Sequence, residues 1–259
     1  MSLGTILLNL ITGRLVVALN WRAGYLAFLF GIISVVTAIA FIPRGEKETE
    51  PDKADVGEKT RLRKIFSGGL NHAMIIGFVF ICMFMAYNYN ISFLIQEKNF
   101  GNAAVTSYIS SIFMGAKFVS ALLMPFLKKL LGKWIFAISS VVAALAFFII
   151  GSAGNIWVVI LGVVLLGLSQ DLFTLVLTVK ILDDADKSVI TATLATYMVA
   201  VSLASYAAPY LVTAPVKLMG GGAATTFYYA AVVVILLAVG ELIYVVLHKE
   251  RKSEPAQEV

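Results

Sequence analysis

Cysteine, histidine and charged residues are scarce in this sequence, and each scarcity excludes a class of protein. Cys82 is the only cysteine, so no disulfide can form within the chain. The histidines, His72 and His248, are too few for a His-ligated metalloenzyme. No GxxxxGKS or GxxxxGKT phosphate loop occurs, so the usual ATP-binding motif is absent from the sequence. We therefore predict neither an enzyme nor a bound metal or cofactor.

Only 14% of the residues are charged, whereas 60% are hydrophobic. A soluble domain usually carries about 25% charged residues, so this composition predicts an integral membrane protein embedded in a lipid bilayer. The net charge of +5 does not indicate nucleic-acid binding, because the basic residues lie at the ends of apolar runs rather than on one face. We expect them to face anionic lipid headgroups.

Long apolar runs make up most of the chain. A helix needs about 20 apolar residues to cross a bilayer, and this criterion predicts an all-α, polytopic fold with about eight transmembrane helices. The predicted spans are Ser2–Leu19, Ala23–Ile42, Leu70–Ile95, Ala104–Leu127, Trp134–Gly151, Ile156–Val179, Val189–Val212 and Thr225–Leu247. Several connections are only a few residues long, so those neighbouring helices must run antiparallel.

A charged segment divides the predicted helices into two groups. Residues 1–42 hold two helices, 43–65 form a linker, 66–248 hold six helices, and 249–259 form a tail. The linker carries seven basic and six acidic residues, which is typical of a solvated segment without a packed core. Because lysine and arginine are concentrated on this side of the helices, the positive-inside rule predicts that the linker and the C-terminus are cytosolic. The predicted location is the cell membrane.

The order of these elements resembles the Major Facilitator Superfamily. The resemblance rests on a tight Trp21–Arg22 turn followed by Tyr25 and Phe28, on Pro43 closing the second span, and on a charged linker before six more spans. Family members usually have twelve helices in two halves, and this chain resembles helices five to twelve. The resemblance implies a secondary active transporter that moves a small organic solute by alternating access, with proton coupling expected.

Counterparts of the first four family helices are missing from the sequence. In the family those helices build half of the substrate cavity, so either the start of the sequence is misassigned, or the gene is truncated, or a separate chain completes the bundle. The alternative is a truncated, non-transporting membrane fragment or an accessory subunit. An in-frame upstream sequence encoding four more apolar spans would distinguish an incomplete gene from either of these.

A drug/proton antiporter is the alternative within the transporter class. Drug antiporters of the superfamily carry a glycine-proline signature in their fifth helix. The matching stretch from Gly4 to Gly13 keeps the outer glycines but has Leu8 and Asn9 where glycine and proline would stand. The turn at residues 127–133 also resembles the charged cytosolic turn of the family, although it lacks the acidic residue.

Four ionisable residues fall at membrane depth: Arg14, Lys117, Asp171 and Glu241. Each costs on the order of 3 kcal/mol at the centre of a helix and is rarely kept without a role. Lys117 lies near the middle of its predicted span, and Asp171 lies about one turn to the cytosolic side of the middle of its own. We predict that the two form an ion pair in the translocation path. Asp171 is the expected proton acceptor, because burial and a neighbouring charge both set the proton affinity of a carboxylate. The alternative is a structural pair that locks two helices together.

Further predicted pathway residues are polar or lie near the pair. Gln170 precedes Asp171, and Asn88 is preferred over Asn90 because the two point in different directions around the helix axis. Ser202 lies on one side of the seventh span, and Arg14 is included although it lies close enough to the outer surface to reach it.

Glu241 and Pro209 have other interpretations. Glu241 lies under two turns from the cytosolic end of the last span, and we expect it to be within reach of Lys249 or solvent. Pro209 removes a backbone hydrogen bond and is expected to let its helix bend.

Overall fold

The protein, seen in a computed structural model, consists of packed helices. Residues 2–41, 65, 68–186 and 188–253 are described. The α-helices are α1 (Ser2–Ala18), α2 (Leu29–Phe41), α3 (Gly68–Glu97), α4 (Ala103–Leu131), α5 (Ile135–Ser152), α6 (Ile156–Asp184), α7 (Ile190–Ala208), α8 (Ala214–Leu218) and α9 (Ala223–Ser253). These residues form no strand, which confirms the all-helical prediction.

Seven helical segments are long and apolar enough to cross a membrane. The first begins with the 3₁₀ turn Trp21–Phe28 and continues through α2, and a shorter apolar helix, Gly4–Ala18, precedes it. These eight segments correspond to the eight predicted spans. Of the predicted linker only Ile65 is described. The predicted tail starts inside α9, whose helix continues to Ser253, and its remaining residues lie outside the described set.

Short turns with side-chain caps connect the helices on the predicted outer side. Asn102 caps α4 by accepting hydrogen bonds from the backbone N–H groups of Ala104 (3.0 Å) and Val105 (3.4 Å). Asn155 caps α6 by accepting one from Val158 N–H at 3.1 Å. Such caps satisfy backbone donors that have no partner at a helix start. The adjoining helices are therefore antiparallel, as the short connections predict.

The helices pack through aromatic side chains and small residues. The rings of Phe80 on α3 and Phe173 on α6 stack with their centres 3.7 Å apart. Gly167 on α6 lies against α4 so closely that an added Cβ would be 2.8 Å from the carbonyl oxygen of Phe113 and 2.9 Å from Cβ of Ala116. Small residues allow such close backbone approach in membrane bundles. This contact brings the centres of α4 and α6 together.

Two charged residues at the end of α3 bind the ends of other helices. Glu97 accepts a hydrogen bond from the backbone N–H of Ala223, the first residue of α9, at 3.1 Å. Lys98 donates to the carbonyl oxygens of Gly151 (3.1 Å) and Ala153 (2.7 Å) at the end of α5. Both contacts match the helix dipole, whose N-terminus favours anions and whose C-terminus favours cations. The outer ends of α3, α5 and α9 are therefore joined.

Pro209 begins a single π-helical turn, Pro209–Thr213, between α7 and α8. The backbone N–H of Ala214 bonds to the carbonyl oxygen of Pro209, five residues earlier. Proline cannot donate a backbone hydrogen bond, and a π turn is one way for a helix to accommodate the missing bond. The proline expected to let the helix bend thus coincides with a wider helical turn.

Adding a methyl group at Gly167 should destabilise the fold. Gly167→Ala places Cβ against the backbone of α4, and we expect a loss of about 1–3 kcal/mol, which is typical of overpacking. Thermal unfolding of the purified protein in detergent measures the change. The matched control is Gly115→Ala on α4, where an added Cβ meets nothing within 4 Å. Equal melting temperatures for the two variants would contradict the close approach.

Candidate functional site

An ion pair joins the centres of α4 and α6. Nζ of Lys117 lies 3.8 Å from Oδ1 of Asp171, and the side chains are 22% and 20% exposed. Lys117 is the central residue of α4, and Asp171 lies one residue past the centre of α6. The ion pair expected from the sequence is therefore present in the structure. Its place in a translocation path stays a prediction.

Neighbouring contacts hold the two helices in register around this pair. Ser120, one turn after Lys117, is fully buried and donates from Oγ to the carbonyl oxygen of Leu168 at 2.8 Å. The close approach at Gly167 lies one turn before Asp171 on α6. A serine hydroxyl and a glycine on facing helices thus fix the separation at which the two charges meet.

Aromatic rings cover one side of the pair. Nζ of Lys117 lies 5.8 Å from the centre of the Phe113 ring, within the range of a cation–π interaction. Phe113 in turn contacts Tyr87 and Phe84 of α3, with ring centres 4.7 Å and 5.6 Å away. These three rings are buried. They connect α3 to the ion pair and exclude water from that side of it.

Gln170, next to Asp171, carries an unsatisfied polar atom. Its side chain is buried, and Oε1 has no hydrogen-bond partner among the described residues. A buried polar group without a partner costs about 1–3 kcal/mol. By contrast, Thr174 and Thr178 donate to carbonyl oxygens of their own helix, at 2.9 Å and 2.8 Å. Of these three residues of α6, Gln170 is therefore the one whose side-chain oxygen can still accept a hydrogen bond from a solute or water.

Asn88 and Asn90 on α3 lie in different environments. Asn88 is exposed, and its Nδ2 lies 3.4 Å from Sδ of Met85. Asn90 is buried and donates from Nδ2 to the carbonyl oxygen of Ala86 and to Oγ1 of Thr213, both at 3.1 Å. The sequence alone could not identify the partner of Asn90, because Thr213 is 123 residues away.

A pocket of about 360 Å³ opens between α3 and the π turn after α7. Asn90 and Thr213 line it together with Tyr89, Phe93 and Lys217. Nζ of Lys217 lies 5.7 Å from the centre of the Phe93 ring. No sequence pattern predicts this pocket, because the π turn that shapes it has no signal in the sequence beyond Pro209.

Ser202 and Arg14 belong to helices other than the two that carry the ion pair. Ser202 is exposed on α7 and donates from Oγ to the carbonyl oxygen of Met198 at 2.9 Å. Arg14 is exposed on α1, and its Nε donates to the hydroxyl of Tyr108 on α4 at 3.4 Å. Arg14 therefore ties α1 to the helix that carries Lys117.

Glu241 has a different environment from the one expected. It is buried, with 4% of its surface exposed, and its Oε1 lies 3.2 Å from Nε2 of His72 on α3. The expectation that solvent lies within reach of this carboxylate was wrong, because α9 turns the side chain towards the bundle. The side chain of Lys249, the other expected partner, lies outside the described set. This contact depends on how α3 and α9 are rotated and shifted relative to each other, which the sequence does not show.

Within the described ranges, no three His, Cys, Asp or Glu side chains are close enough to hold a metal ion. Among the described residues, the central pair and its neighbour provide an ammonium on Lys117, a carboxylate on Asp171 and an amide oxygen of Gln170 without a hydrogen-bond partner. These groups can bind a polar solute, exchange a proton and attract each other.

Removing either charge of the central pair should destabilise the protein more than removing both together. Lys117→Met and Asp171→Asn each leave one partly buried partner unpaired, so a double-mutant cycle should give a coupling free energy of about 0.5–3 kcal/mol. Unfolding of the purified variants in detergent provides the four free energies. Lys128→Met with Asp183→Asn, exposed positions on the same helices, is the control cycle. Additive effects at Lys117 and Asp171 would contradict a direct interaction.

Comparison with known proteins identifies the superfamily of the chain. The family model described as Major Facilitator Superfamily matches residues 1–209, about four fifths of the chain. The match includes both members of the central ion pair. No curated protein and no solved structure matches the chain significantly. The chain is a multi-pass membrane protein, and it belongs to the Major Facilitator Superfamily of solute transporters.

Proposed function

We propose that the chain moves a small organic solute by alternating access and that protons drive this transport through Lys117 and Asp171. The observation that carries the proposal is the ion pair itself, 3.8 Å long and at the centre of two membrane spans. A charged side chain at this depth is costly and usually marks a solute or ion pathway. The partial exposure of both side chains gives a solute access to them.

The pair offers a simple mechanism for coupling. With Asp171 ionised, Lys117 and Asp171 neutralise each other, and the pair is stable in a low-dielectric interior. A proton on Asp171 removes this attraction and leaves the ammonium of Lys117 available to an acceptor on the solute. Solute and proton then shift the balance between inward-open and outward-open states to the extent that each binds one state better.

The other pathway residues extend this site along the helices. Oε1 of Gln170 can accept a hydrogen bond from the solute beside Asp171. Asn88 and Ser202 are polar and exposed at mid-span, where contact with lipid tails would be unfavourable. Arg14 contributes a positive charge on α1, so it favours an anionic group on the solute.

We also propose that further transmembrane helices complete the cavity. Tyr206 and Tyr210 on α7 and the following π turn are exposed, as are Asn88 and Ser202. Lipid tails cannot satisfy these hydroxyl and amide groups, whereas a polar cavity or additional helices can.

We propose that the protein lies in the cell membrane with its linker and its C-terminus in the cytosol. Lysines cluster at the end of α4, including Lys128 and Lys129, whereas the opposite ends carry few basic residues. This asymmetry follows the positive-inside rule.

Cysteine labelling should confirm this orientation. Cys82 is buried, so Cys82→Ala provides a thiol-free background at little cost to packing. In that background, Met219→Cys lies at the predicted outer turn and should react with a membrane-impermeant maleimide on intact cells. Lys129→Cys should react only after the membrane is opened. The reverse pattern would show that the orientation is inverted.

Asp171→Asn should abolish proton-driven solute accumulation. The amide keeps the size of the side chain but cannot exchange a proton, so the pH gradient can no longer drive the solute. Vesicles containing the purified protein and any required partner are first tested with a panel of radiolabelled solutes under an imposed pH gradient. The solute that the wild-type protein accumulates is then used for the variants.

The control for this experiment is Asp183→Asn, an exposed carboxylate on the same helix. It should accumulate the solute like the wild type. Asp171→Asn should still exchange labelled for unlabelled solute without a gradient, which separates lost coupling from lost folding. Unchanged gradient-driven accumulation in Asp171→Asn would remove Asp171 from the mechanism.

A further inference from the structure

A second pair of ionisable side chains lies away from the central pair. Nε2 of His72 on α3 and Oε1 of Glu241 on α9 are 3.2 Å apart. Both residues belong to segments apolar enough to span a membrane. A carboxylate inside such a segment is costly, so its retention marks a functional site whose partner should be identified. Here the partner is itself able to bind and release a proton near neutral pH.

The two side chains differ in their access to water. The side chain of His72 is 32% exposed, whereas that of Glu241 is 5% exposed. His72 is also close to the start of α3, at the end of the bundle predicted to face the cytosol. A proton can therefore reach the imidazole from cytosolic water, while the carboxylate is reached through the imidazole.

Lys180 on α6 also faces this region. It acts electrostatically on Glu241, and its Nζ lies 5.6 Å from the centre of the Phe136 ring. His248 and Lys249 follow on α9, and their side chains lie outside the described set. With Lys180 charged and His72 neutral, ionised Glu241 gives a locally neutral cluster, and an added proton makes it positive. Binding of a proton by His72 or Glu241 thus changes the net charge of this cluster, which lies between α3, α6 and α9.

This cluster is separate from the central pair. Lys180 follows Asp171 by nine residues on α6, which corresponds to about 14 Å along the helix axis. The helix therefore carries one charged residue in each cluster, and the two clusters occupy different depths of the bundle.

We propose that His72 and Glu241 form a proton-binding site at the cytosolic end of the bundle. A hydronium ion gives a proton to the imidazole and leaves water. The resulting imidazolium donates its Nε2–H to Oε1 of Glu241 or transfers that proton to it, leaving neutral imidazole and a carboxylic acid. Both states carry the same net charge, and return of the proton to water restores the starting state. This site binds protons whether or not the central pair binds the solute.

Histidine spectroscopy tests the proposal without any solute. The chain has only two histidines, so the ¹⁵N-histidine spectrum of the purified protein in lipid bilayers contains two imidazole groups. His248→Gln assigns His72. We expect His72 to titrate between about pH 5 and 8 in the wild type, the range in which histidine changes charge in proteins. In Glu241→Gln the imidazole loses a carboxylate at 3.2 Å, so its titration midpoint should differ from that of the wild type by more than the error of the measurement.

Asp171→Asn is the matched control, because it removes one carboxylate from the same bundle at the other pair. The His72 midpoint should move much less there than in Glu241→Gln, because Asp171 belongs to the other cluster and a charge interaction weakens with distance. Should Glu241→Gln fail to elute from size exclusion as the wild type does, Glu241→Asp keeps the charge but moves it away from the imidazole, and a smaller shift in the same direction is expected.

Three results would overturn the proposal. His72 could fail to titrate in this pH range, which would indicate a fixed structural pair. Its midpoint could be the same in the Glu241 variant and the wild type, or it could shift equally in Asp171→Asn. None of these results would bear on proton-driven transport through Asp171, because that function is measured separately by solute accumulation.

Discussion

The hydrocarbon interior of a bilayer solvates neither charges nor unpaired backbone groups, and this constraint governs the structure. Helices satisfy their own backbone hydrogen bonds, so the chain crosses the membrane only as helices. Charged side chains that cannot reach the ends of the helices must find partners. Lys117 finds Asp171 at 3.8 Å, and Glu241 finds His72 at 3.2 Å. Each pair therefore also determines which helices are neighbours.

The two ends of the bundle are held by contacts of different kinds. At the predicted outer end, Glu97 and Lys98 bond to backbone groups at the start of α9 and the end of α5, and backbone groups do not titrate. At the predicted cytosolic end, α3 and α9 meet through His72 and Glu241, both of which can exchange protons. Under the proposals made above, a change in protonation alters the attraction between helices at the cytosolic end and leaves the outer contacts intact. This asymmetry fits the alternating access that we propose.

Close packing gives the central pair its geometry. The approach of α4 and α6 at Gly167 and the bond from Ser120 to Leu168 fix the helix separation on either side of the charges. The ring of Phe113 lies beside Lys117 and joins it to the aromatic residues of α3. Helix α3 therefore contacts the environment of both ionisable pairs, and α6 carries a charged residue in each. These two helices are the physical connection between the sites.

The sequence by itself determined the membrane class, the helical fold, the approximate spans and the depth of Lys117 and Asp171, because apolar run length and charge position are local properties of a chain. It also predicted that these two residues share a layer, since both lie at mid-span. Only the tertiary structure decided that Asn90 bonds to Thr213, that Glu241 faces His72 and that the chain widens into a π turn after Pro209. These features depend on the rotation of each helix about its axis relative to distant neighbours, and side-chain packing between helices sets that rotation.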